Sequence, residues 1–71
     1  MKNPFIQLTI RGPSDGILTL YVNVEKIISV VNFHGNGMNY ECTIHIEDIP
    51  EEYKVLEDYI FVKNIITTYY Q

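Results

Sequence analysis

Tyr40-Glu41-Cys42-Thr43-Ile44-His45-Ile46-Glu47, running into Asp48-Ile49-Pro50-Glu51-Glu52, is the stretch on which the fold turns. Its first part alternates Tyr40, Cys42, Ile44 and Ile46 with Glu41, Thr43, His45 and Glu47. Side chains two apart share one face of a strand, so this is a strand with one face on a core and one in water. Its second part puts Asp48 where a helix N-cap stands and Glu51 three residues on, the spacing of a capping box, with Pro50 tolerated in the first turn. Glu51 and Glu52 then sit where the helix dipole favours negative charge. The two signals predict a strand over about 40–47 and a helix over about 50–67.

Working outward, Phe5 to Ile10 sets Ile6, Leu8 and Ile10 against Phe5, Gln7 and Thr9, and Ile17 to Val22 groups Leu18, Leu20 and Val22. Between them Pro13 presets φ, Asp15 bonds its own backbone and Gly16 tolerates a positive φ. Facing Ile10 with Leu20 and Leu8 with Val22 requires an odd loop, and so a bulge near Gly16. Asn23 to Lys26 reads as a turn or a single 3₁₀ turn. Ile27 to Phe33 is a third strand, and Asn36-Gly37 favours a type I′ hairpin turn after it. A two-residue turn there pairs Phe33 with Tyr40, Val31 with Cys42 and Ile27 with Ile46, leaving Ile28 and Val30 on the other face; an odd loop reverses that sorting. The expected fold is α+β: a four-stranded antiparallel β-meander (about 5–10, 17–22, 27–33 and 40–47) with one C-terminal helix packed on a sheet face. The tail is two-sided. Ile65, Ile66, Thr67 and Thr68 are β-branched and Tyr69 and Tyr70 aromatic, yet apolar positions 56, 59, 62, 66 and 69 keep the helical period.

The chain has 71 residues, one domain's worth. A domain this small buries only about 60% of its unfolded surface, and oligomerisation is one usual reinforcement. Cys42 is the sole cysteine, which excludes an intramolecular disulfide and a Cys-rich zinc site. No run approaches the roughly 18 apolar residues of a membrane span, and Met1-Lys2-Asn3-Pro4-Phe5 lacks a signal-peptide core. No membrane association and a cytoplasmic location are expected. Net charge is −4, unevenly placed. Residues 1–40 carry Lys2, Arg11 and Lys26 against Asp15 and Glu25, a net +1, whereas residues 41–71 carry Lys54 and Lys63 against seven carboxylates, a net −5. With no basic stripe to neutralise phosphates, direct nucleic-acid binding is not expected.

No constellation carries chemistry. Cys42 and His45, three apart on a strand, point to opposite faces; Cys42 reads as a core hydrophobe and His45 as solvated. His34, in the turn, lies a strand length from His45. The acidic run from Glu47 to Asp58 lacks the spacing of an EF-hand loop, and Gly35-Asn36-Gly37 lacks the helix start and lysine of a phosphate loop. The expectation is no enzyme, no metal and no cofactor. The aromatic tail is different: apolar positions there cover more of a helix than one sheet face can bury, and Tyr and Phe are enriched at interfaces. The candidate interface is Tyr59, Phe61, Ile65, Ile66, Tyr69 and Tyr70.

Ile6-x-Leu8-Thr9, Leu20-x-Val22-Asn23, Ile27-x-Ser29-Val30, a Gly-containing turn, Ile44-x-Ile46-Glu47 and the Glu51-Glu52 helix start resemble the small flagellar and swarming-motility protein family and related small bacterial proteins. The resemblance covers residues 5–57; the longer loop at 11–16 and the aromatic tail after Asp58 depart from it. It implies a small bacterial, non-enzymatic accessory protein and brings no catalytic residues. The sequence thus points to an interaction or regulatory module that forms a homo-oligomer and binds a protein partner. The alternatives are a small-ligand or nucleotide-binding protein with a site between subunits at His34 and Asn36, and a phage- or mobile-element-encoded acidic inhibitor of a host protein.

Overall fold

The computed structural model describes residues 3–33 and 40–71. Five strands and one helix follow in order: β1 (Phe5–Arg11), β2 (Ile17–Asn23), β3 (Ile27–Asn32), β4 (Cys42–Ile46), β5 (Glu52–Val55) and α1 (Tyr59–Tyr70). They form an antiparallel sheet in the order β2-β1-β5-β4-β3 with the helix at the C-terminal end. The α+β class is as expected, but the sheet has a fifth strand and is not a simple meander. β2 and β3, neighbours in sequence, stand at opposite edges, and the first and last strands meet in the middle.

The added strand is the main correction. Residues 50–57 were expected in the helix; Glu52–Val55 is extended and α1 begins only at Tyr59. Asp48 is no N-cap. It has φ 67, and the Ile49 N–H donates to the Ile46 carbonyl at 3.1 Å, closing a turn after β4. The local signal loses to a tertiary one: Val55 lies opposite Cys42 on one side and Ile10 on the other, fully buried, so β5 fills the gap between β4 and β1. Seating one buried valine against two strands outweighs a cap interaction of about 1 kcal/mol.

The first hairpin keeps the expected faces but not the expected pairs. Ile10 faces Leu18, Leu8 faces Leu20 and Ile6 faces Val22, two residues from the predicted register. Residues 12–16 are odd in number, so parity is preserved, but there is no bulge. A 3₁₀ turn over Pro13–Asp15 spans the loop with Ser14 at φ 58, whereas Gly16 is extended at φ −67. The second 3₁₀ turn, Val24–Lys26, is where the sequence places it; the Asn23 side chain accepts from the Glu25 N–H at 2.9 Å, and Val24 is buried.

In the second hairpin Ile27 pairs with Ile46 as expected. A bulge at Ile28 then shifts the register, so Asn32, not Val31, faces Cys42. Val30 turns inward against Ile44 and Val31 outward, the reverse of the two-residue-turn expectation. Phe33 and Tyr40 still stack, centroids 4.8 Å apart, while the Phe33 N–H donates to the Glu41 carbonyl. The turn at Asn36-Gly37 lies outside the described residues.

The core gathers Leu8, Ile10, Val22, Cys42, Ile44, Ile46 and Val55 from the sheet and Val62 from the helix. All but Val55, which belongs to the unpredicted β5, are positions that the strand alternation or the helical stripe groups on one face. No helix among the described residues is long and apolar enough to cross a membrane.

Candidate interaction surfaces

The helix is held on the sheet at both ends. At its start the Asp58 carbonyl accepts from the Val62 N–H at 3.1 Å. Just before it, both carboxylate oxygens of Glu57 accept from the Thr9 N–H, at 2.9 and 3.1 Å, while the Leu56 N–H donates to the Thr9 carbonyl at 2.8 Å. The Glu57 side chain therefore continues the β1–β5 ladder one step past the end of β5. At the far end the Tyr69 hydroxyl donates to the Glu25 carboxylate in the second 3₁₀ turn, and that bond holds the phenol pKa above its ordinary value. Between these anchors Val62 is fully buried, with Tyr59 and Ile66 packed beside it.

The six tail residues singled out from sequence thus divide. Tyr59, Ile66 and Tyr69 face the protein's own body. Phe61 and Ile65, one turn apart, line a shallow groove with Asn64 and Thr68 on the helix's outer flank, and Tyr70 stands edge-on to Tyr69, largely exposed. His34 and Asn36 lie outside the described residues.

A second apolar surface was not anticipated. Ile17 and Tyr21, each 62% exposed, share the outer face of β2 with Phe5 of β1, which stacks on Tyr21 at 5.1 Å, while Leu18 on the inner face is 51% exposed. The signal was present in the sequence: Ile17 to Asn23 contains no charge and no proline, the two devices that usually blunt an edge strand. A cleft of about 300 Å³ opens beside it where the hairpin meets β5. Arg11 and Lys54 line it together with Glu51 and Glu52, so neither sign of charge dominates.

Among the described residues Cys42 and His45 stay apart. Cys42 is fully buried, its thiol 3.5 Å from the Glu57 carbonyl, while His45 lies half-buried on the opposite face of β4. Burial first, then the carboxylates of Glu57, Asp58 and Glu41, push the thiol pKa from 9.0 to about 11, so it is no nucleophile at neutral pH. Among the described residues no three His, Cys, Asp or Glu side chains gather as metal ligands. The chain matches no described protein family, no curated protein and no solved structure.

Proposed function

We propose that this protein is a small non-enzymatic interaction module that self-associates and binds a protein partner. One observation carries the reading: among the described residues, ten large apolar side chains are exposed against nine buried hydrophobic ones. Soluble monomers seldom leave large apolar area uncovered, and here it stands out on both edge strands, β2 and β3, and on the outer flank of α1. Phe61 and Ile65 offer a partner two apolar anchors one helical turn apart, the spacing by which helices dock on grooves.

The oligomeric mass in solution tests the first half. A species heavier than the 8.3 kDa chain is expected, and a monomer at every concentration overturns it. For the second half, a photoreactive side chain at Phe61 is expected to give one discrete adduct in the source cell, lost on Ile65→Glu. Diffuse labelling no stronger than from a probe at exposed Lys63 overturns it. A small-ligand reading has the cleft beside Arg11 and Leu18 in its favour, since its volume suits a small molecule. A rise in Tm with one member of a nucleotide panel would support it.

A further inference from the structure

We infer that the self-contact is made by β2, pairing antiparallel with β2 of a second copy about an axis through Leu20. The inference rests on the reading that the chain self-associates, and names the surface.

Backbone geometry supplies the first argument. The Gly12 N–H donates to the Gly16 carbonyl at 2.7 Å and the Val24 N–H to the Pro4 carbonyl at 2.8 Å, whereas the Thr9 N–H and carbonyl both serve the β5 side. Even-numbered residues therefore bond across the β1–β2 ladder. In antiparallel pairs such positions alternate with ones whose N–H and C=O point away. Ile17, Thr19, Tyr21 and Asn23 thus aim their backbone groups at the open side of β2, which is an edge of the sheet. This is a row of donors and acceptors ready to bond a strand.

Symmetry supplies the second. Turning β2 onto itself about Leu20 sets Thr19 opposite Tyr21 of the second copy, Ile17 opposite Asn23 and Leu18 opposite Val22. Residues of equal parity meet, so each copy's inner face continues the other's, as an isologous contact requires. Leu18 gains most. It lies on the inner face opposite Ile10 but beyond the core, half in water, and the pairing gives it an apolar neighbour. Thr19 beside Tyr21 is a favourable cross-strand combination of β-branched and aromatic side chains.

Charge supplies the third. Two copies of a chain with net charge −4 repel, most strongly through residues 41–71, which carry −5. β2 is uncharged and belongs to the half with net +1, so like copies approach there at least electrostatic cost.

Light scattering after size exclusion tests this, on the full chain and two variants, with amide hydrogen exchange on the full chain. The expected results are twice the 8.3 kDa chain mass for the full chain and for Phe61→Glu, and the single mass for Thr19→Pro, with unchanged far-ultraviolet circular dichroism. Thr19→Pro deletes an N–H that serves only the open edge. In the full chain the Thr19 and Tyr21 amides are expected to exchange slowly when concentrated and quickly on dilution; this readout decides if the variant fails to fold. A full chain of single mass at every concentration overturns the self-association reading and this inference together. A dimer that Phe61→Glu breaks, with Thr19 and Tyr21 exchanging fast throughout, overturns the β2 contact alone and leaves self-association standing.

Discussion

The two edges of the sheet differ in more than position. β3 is interrupted by a bulge at Ile28 and is the strand against which α1 chiefly packs, whereas β2 runs unbroken from Ile17 to Asn23 with its outer side bare. Both expose apolar side chains to a similar degree, Ile28 at 63% and Ile17 at 62%. Exposure of side chains therefore does not measure availability for pairing. Regular backbone does, and only β2 offers it, because a bulge disrupts the ladder a new strand would follow.

The strongest way to break this contrast is to move a proline by one residue. Leu20→Pro deletes an N–H that bonds Leu8 across the hairpin and is expected to cost about 3 kcal/mol or more, enough to unfold a marginal domain. Thr19→Pro, whose N–H faces the open edge, is expected to cost under about 1.5 kcal/mol. Urea titration of the two variants checks this; equal costs would mean that the bonded and open sides of β2 are wrongly assigned. Next in size, Val62→Ala loosens the helix that backs the β3 side. A loss of about 2–3 kcal/mol is expected, with β3 amides exchanging faster and β2 amides little changed.

Alkaline pH probes the covered half through Cys42. Its folded pKa is raised, so its contribution is fully present below about 9 and is lost as pH climbs to about 11, because the unfolded thiol ionises first. The expected loss is roughly 1–3 kcal/mol in urea midpoints across that window, and Cys42→Ala is expected to remove most of the slope. The Tyr69 phenol, held up by its bond to Glu25, shifts in the same direction. The smallest effect lies at the tip of the bare hairpin. Ser14 holds φ 58, so Ser14→Gly is expected to raise stability by about 0.5–1 kcal/mol in thermal melts without changing oligomeric mass.

Much of this was legible from residues alone. Alternation located four strands, and the apolar spacing at 59, 62, 66 and 69 marked a helix there even though its residues favour strands. β5 was not legible. Four residues are too few for a period to show, and the Asp48–Glu51 cap signal spoke for a helix that only the gap between β1 and β4 overrules. The shifted second hairpin follows from one inserted residue, Ile28, which no local preference marks. For the surfaces, composition marked the tail as over-rich in aromatics but not which flank would be spent on the core, since that depends on where the helix lands. The β2 edge was readable only once β2 was known to be an edge.

The Glu57 carboxylate on the Thr9 N–H, with the single Ile10–Val55 pair beside it, bears on how the molecule forms. β1–β2 and β3–β4–β5 each close over short stretches of chain, and only this narrow seam, joining residues 48 positions apart, welds them into one sheet. Closing a long loop is the slow, entropically costly event in folding, whereas hairpins assemble fast. The seam is therefore expected to set the folding rate, so that Glu57→Gln slows refolding in stopped flow more than it speeds unfolding. One side chain standing in for a missing strand residue would then act as the timing element of the whole sheet.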